Sequence, residues 1–145
     1  MLFLGLQILK ITVKSLIIND LNKMNFPEIQ NNNVQKFLNT TEIIEETSRQ
    51  IMKDFGMFGI EITFLGKTEN AYEELHQQLI KIIGGLMQEN YNKLLAVLYR
   101  IDITEKEIAK AEKELPDYNL SEVVAHQIIM RELKKVLFRK HFKAK

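Results

Sequence analysis

Apolar residues recur at helical spacing in four stretches of the chain, and three of those stretches open behind a polar residue followed three positions later by glutamate. The pairs are Asn39 with Glu42, Thr104 with Glu107 and Asn119 with Glu122. Each is the signature of a helix start, because the first side chain accepts from an amide of the first turn while the glutamate returns to the cap amide. The first helix runs from Asn39 to about Phe55, with Ile44, Ser48, Ile51 and Phe55 on one stripe and Ile43 and Met52 beside it. Gly56 and Gly59 end it, since glycine takes the left-handed conformation that closes a helix.

A second apolar face, traced by Tyr72, Leu75, Leu79, Ile83, Leu86, Leu94 and Val97, predicts a helix from Glu69 to Arg100 that bends or packs closely at Gly84-Gly85. A shorter helix follows from Thr104 through Ile108, Ala109, Ala111 and Leu115, and Pro116 stops it. The last runs from Leu120 to Phe142. Its apolar arc, from Val123 and Val124 through Ile128, Ile129, Leu133 and Val136 to Phe138, is wider than one neighbour needs. Either this helix packs centrally or one side of it meets a second copy of the chain.

Between the first two helices, Ile60 to Leu65 is β-branched and imperfectly alternating, and it predicts a short strand or an extended connector. With no partner strand in sight, the connector is preferred. The expected fold is therefore all-α: a four-helix bundle over residues 39–145 with an extended crossover or short strand near residues 60–66. Residues 1–38 form an N-terminal appendage and polar loop.

In that appendage, residues 1–18 are apolar apart from Gln7, Lys10, Thr12, Lys14 and Ser15. Two central lysines rule against a membrane span, and no basic residue precedes the apolar stretch as a secretory signal requires. The expected role is an amphipathic helix docked on the domain. A lipid-surface helix and a start at Met24, which would make residues 1–23 an upstream extension, are the alternatives.

Composition narrows the chemistry. The 145 residues contain no cysteine, which removes disulfides, thiolate metal sites and cysteine nucleophiles. A net charge of +1 with 27% charged and 46% apolar residues is ordinary for a globular domain. The average hides an asymmetry: Arg131, Lys134, Lys135, Arg139, Lys140, Lys143 and Lys145 face only Glu132 in the last fifteen residues, about +6. Any electrostatic function belongs to that end. A polyanion site formed by Arg131, Lys134, Lys135, Arg139, Lys140 and Lys143, with His141 and Phe142 available for stacking, stands against the simpler role of complementing the helix dipole.

Three other motifs invite chemistry. Gly66-Lys67-Thr68 imitates the end of a phosphate-binding loop, but Glu61 stands where the first glycine is needed; Thr68 is better read as a helix cap. Glu73-x-x-His76 is half of a carboxylate-bridged di-metal site, whereas His126 has Glu122 four positions before it rather than three. A solvated acidic face of Glu69, Glu73, Glu74 and His76 is preferred, and no cofactor is expected. Arg100 and Asp102 are expected to fix the joint between two helices, Arg100 at its own helix's carbonyl end.

The segments Leu98 to Lys106, Arg131-Glu132-Leu133 and Phe138 to Phe142 resemble short uncharacterised helical proteins of bacteria. The resemblance implies a bacterial, cytoplasmic setting and brings no activity, cofactor or site residue. Without a Ser/His/Asp set, a glycine-rich cradle or a paired metal motif, the expected function is non-catalytic, through self-association or a protein partner. Nucleic-acid or other polyanion binding by the basic end is the alternative.

Overall fold

The computed structural model describes residues 28–64 and 68–143, with the side chains of Thr68 and Lys143 excluded. The amphipathic segment at residues 1–18, the question of Met24, and Gly66-Lys67 lie outside the described residues. Within them the protein is all-helical and contains no strand. Six helices follow in order: α1 (Val34–Phe37), α2 (Thr41–Gly56), α3 (Ala71–Glu89), α4 (Tyr91–Ile101), α5 (Glu105–Glu114) and α6 (Leu120–Lys143), with a 3-10 turn at Thr68–Asn70 before α3. None of the described helices is long and apolar enough to cross a membrane.

The helix starts follow the local chemistry, with one displacement. Thr104 and Glu107 form the reciprocal box, and Asn119 and Glu122 exchange the same pair of bonds. At α2 the cap is Thr40 rather than Asn39. Thr40 is the extended residue, at φ −121° and ψ 149°, and its Oγ1 accepts from Ile43 N at 3.3 Å. The end of α2 is specified by Gly59 at φ 73°, which lets Ile60 N reach back to Phe55 O at 3.2 Å.

The long second helix is two helices. Its break falls at Asn90, not at Gly84-Gly85, because Asn90 leaves helical space at φ −152° and ψ 73° while its side chain accepts from Lys93 N at 3.1 Å. That bond rewards starting a new helix at the point where the old one ends. Gly84 and Gly85 remain inside α3, and a methyl added at Gly84 would meet only Ser121 Oγ at 3.7 Å. At the far end of α4, Asp102 takes the left-handed conformation, φ 69°, so that Ile103 N closes on Leu98 O.

The broad arc of α6 is spent inside the chain. α6 packs chiefly on α3 and α2 and secondarily on α5 and α4. Val123, Val124, Ala125, Ile128, Ile129, Leu133 and Val136 are all buried in consequence. Central packing, one of the two sequence alternatives, thus accounts for the arc. Burial reaches back to Ile29, Val34 and Leu38, which belong to the same core as Phe55, Leu79 and Ile101. Residues 60–64 are neither helix nor strand, and the Gln78 side chain serves both the N–H and the carbonyl of Thr63 there.

Candidate functional site

The basic residues of α6 do not share one surface, because a helix turns each successive residue by about 100°. Arg131 and Lys134 line a groove bounded by residues 28–32 and α5, where Lys110 joins them. Arg139 and Lys140 line a second groove against α2, with Arg49, Gln50 and Lys53. Lys135 does neither. It donates to Glu132 Oε1 at 2.9 Å, with its side chain two-thirds buried. The Lys143 side chain lies outside the described residues.

In the α2–α6 groove the carboxylates are already spoken for. Lys140 binds Glu42 at 2.5 Å and Glu46 at 3.1 Å. The hydrogen bond from Lys140, then its charge, holds Glu42 below the usual glutamate range, and the same contact raises Lys140. Arg139 donates to Gln50 Oε1 at 3.0 Å and has no carboxylate within 4 Å among the described residues; Arg49 and Lys53 have none either. All three cations are exposed. Sequence reading missed Arg49 and Lys53. Their i,i+4 spacing on α2 was legible, but their placement beside Arg139 depends on how two helices distant in sequence meet.

Beneath this groove lies a buried acid pair. Asp54 of α2 and Glu132 of α6 are 2% and 0% exposed, and their carboxyl groups act on each other, Glu132 lowering Asp54 and Asp54 raising Glu132. Two buried carboxylates that act on each other are not both ionised without a large cost, so one of them carries a proton. The partners identify which. Asp54 accepts from Arg100 Nε at 3.3 Å and Gln50 Nε2 at 3.2 Å, whereas Glu132 Oε2 receives no donor among the described residues. Burial pushes Glu132 up to about 8, with the Asp54 contact adding to it and Lys135 opposing. Burial also raises Asp54, but the hydrogen bonds from Glu132 and Gln50, the Lys135 charge and Arg100 outweigh it and leave that acid below its ordinary value. Arg100 therefore fixes α4 to α2 rather than capping its own helix.

A second polar cluster sits where α3 faces α6. His76 is buried, 4% exposed, rather than part of a solvated acidic face. It stacks on Tyr72 and donates from Nε2 to Glu122 O at 3.0 Å. His126 donates from Nε2 to Asn31 O at 2.9 Å, so its Nδ1 is the acceptor for the Tyr72 hydroxyl. Burial, aided by His76 and opposed by the Asn31 bond, holds His126 below the usual histidine range. Burial and then the Tyr118 contact raise Tyr72. Both histidines are committed to backbone carbonyls. No group of three His, Asp or Glu side chains among the described residues is arranged to hold a metal ion.

The arrangement offers two charged grooves and two internal polar clusters; neither cluster contributes a side chain to either groove except through Gln50 and Asn31. No protein-family model, curated protein or solved structure matches the chain. The resemblance to short bacterial helical proteins therefore supplies no activity or ligand.

Proposed function

We propose that the protein is a non-catalytic helical binding module that engages a phosphodiester polyanion across the α2–α6 groove. The observation that carries this reading is the meeting of three exposed cations, Arg49, Lys53 and Arg139, in a groove of about 710 Å³ whose acidic residues are occupied by Lys140. Four cations against two carboxylates leave the groove an excess of about +2, which favours a polyanion with affinity governed by counterion release. Phe142, 38% exposed three residues beyond Arg139 on α6, supplies an aromatic surface on the same helix. Lys135, held by Glu132, is not part of that face. In this reading α2, the α3–α4 pair, α5 and α6 act as the four-helix scaffold, with residues 60–64 as the crossover.

A labelled single-stranded oligonucleotide titrated at several salt concentrations tests the proposal. Three neutralised phosphates predict a slope of log K against log salt of about −2. Arg49→Gln with Arg139→Gln should reduce that slope to roughly −0.7. An unchanged slope in the double variant, or no binding at low salt, refutes the reading; binding of an acidic peptide in place of the oligonucleotide does so too.

Self-association or a protein partner is supported by a different observation. Tyr91 and Tyr99 are 53% and 68% exposed at i and i+8 on α4, with the half-buried Leu95 between them. Light scattering of Tyr91→Ser with Tyr99→Ser against the parent tests it, and equal monomer masses reject it.

A further inference from the structure

The groove between residues 28–32, α5 and α6 has a volume of about 590 Å³, within the range of small-molecule sites. Its outer wall is fixed by Asn31, which uses three groups. The backbone carbonyl accepts from His126, Oδ1 accepts from Gln127 Nε2 at 2.7 Å, and Nδ2 donates to Glu114 Oε2 at 2.5 Å. Asn33 closes the turn behind it, accepting from Gln30 N at 2.7 Å. A wall held in this way is formed before any ligand arrives.

The formal charges lining the groove cancel, Glu28, Glu107 and Glu114 against Lys110, Arg131 and Lys134, but the acids do not sit in contact with the two cations of α6. Glu114 is bound to Asn31, with Lys110 3.9 Å away, and Glu107 accepts from its own cap amide at 3.2 Å. Arg131 and Lys134, one turn apart on α6 and both partly buried, have no carboxylate within 4 Å among the described residues. Arg131 Nε is fully buried and receives no partner there. Burial, then the neighbouring Arg131, lowers Lys134 from its ordinary value. Glu107 and Glu28 oppose that lowering only from a distance. Holding two adjacent cations half out of water with no carboxylate in contact is unfavourable, and an anion seated between them reduces the cost. Ile103, Leu115 and Met130 line the same groove and offer an apolar surface to the remainder of a ligand.

We infer that this groove is a binding site for a small organic anion: an oxyanion head, carboxylate or phosphate, seated between Arg131 and Lys134, on a compact apolar body lying against Ile103, Leu115 and Met130. Arg131 provides the planar fork that matches two oxygens of the head, and Lys134 provides a point charge on the third side. The site is separate from the α2–α6 groove and does not depend on polyanion binding there.

Two probes, benzoate and phenyl phosphate, distinguish the head groups, and benzyl alcohol serves as the neutral comparison. The full chain, labelled with nitrogen-15, allows the Arg131 Nε–H resonance itself to be followed. Benzoate or phenyl phosphate should move that resonance and the Asn31 amide saturably, whereas benzyl alcohol should not; the tighter anion identifies the head. Lys134→Gln should weaken binding about tenfold, the effect of losing one charge-assisted contact. Lys81→Gln, an exposed position of α3 outside both grooves, should leave it unchanged. The inference is overturned if neither anion moves the Arg131 resonance in the parent protein, if benzyl alcohol moves it equally, or if the Lys134 variant binds with parental affinity.

Discussion

Replacing Glu132 by glutamine should change how stability depends on pH more than it changes stability itself. Glu132 is fully buried and pushed up to about 8, while an unfolded glutamate has the ordinary value of 4.5. Between those values the unfolded chain has released the proton that the folded chain keeps. Folding is then penalised as pH rises, by about 1.4 kcal/mol per pH unit for one proton. The full window sets an upper bound of about 5 kcal/mol, and solvent relaxation around the group brings the expected loss to a few kcal/mol. This contribution is fully present at acid pH and gone above the folded value. Asp54 acts in the opposite sense: its carboxyl is lowered, so its contribution is present above the ordinary aspartate value and is lost as pH falls.

Glutamine keeps the shape and the donor that Asp54 accepts, and its carbonyl still accepts from Lys135, but it has no proton to lose. Urea unfolding followed by circular dichroism, near pH 5, 7 and 9, measures the effect. Glu132→Gln should match the parent within about 1 kcal/mol near pH 5 and exceed it by about 2 kcal/mol or more near pH 9, a midpoint shift on the order of 1 M urea. Parallel pH profiles for the two proteins would refute the shared proton, and so would a variant less stable than the parent at alkaline pH.

Other consequences are more local. Asn90→Ala removes the side-chain cap of α4 and should lower stability by about 1 kcal/mol in the same assay, with helix content preserved. Gly59→Ala should cost about 1 kcal/mol because its backbone sits at φ 73°, whereas Gly56→Ala, at a helical position with open space around it, should gain up to about 1 kcal/mol; equal effects would remove the argument from backbone conformation. Tyr72→Phe strands His126 Nδ1 without its donor and should cost about 1–3 kcal/mol. In the parent, His126 should titrate below the usual histidine range by NMR, with stability falling as pH drops from about 6.5 toward that value.

Much of the helical layout was legible because it is local chemistry. The Thr104 and Asn119 boxes, the glycine-specified end of α2 and the long apolar run of α6 depend on residues within four or five positions of one another. The reading failed where two local signals competed. Gly84-Gly85 looked like the weak point of a long helix, yet low propensity merely makes a helix less stable, whereas Asn90 supplies a bond that begins a new one. Asn39 and Thr40 are both competent caps, and the backbone angles of Thr40 decided between them.

The candidate sites show the same division more sharply. The abundance of positive charge at the C-terminal end was plain from the residues, and so was its helical character. Nothing local told Lys135 to turn toward Glu132, Lys140 toward Glu42 and Glu46, or Arg131 and Lys134 toward a different groove. Those assignments depend on α2 lying along one side of α6 and residues 28–32 along another, contacts between segments some ninety residues apart. His76 changed from an expected surface residue to a buried one for the same reason. Sequence determined which segments coil and where they stop, because capping and periodicity act over a few residues. Tertiary structure alone decided which charges remain unpaired, because a charge is satisfied by whatever the fold brings within a few ångströms of it.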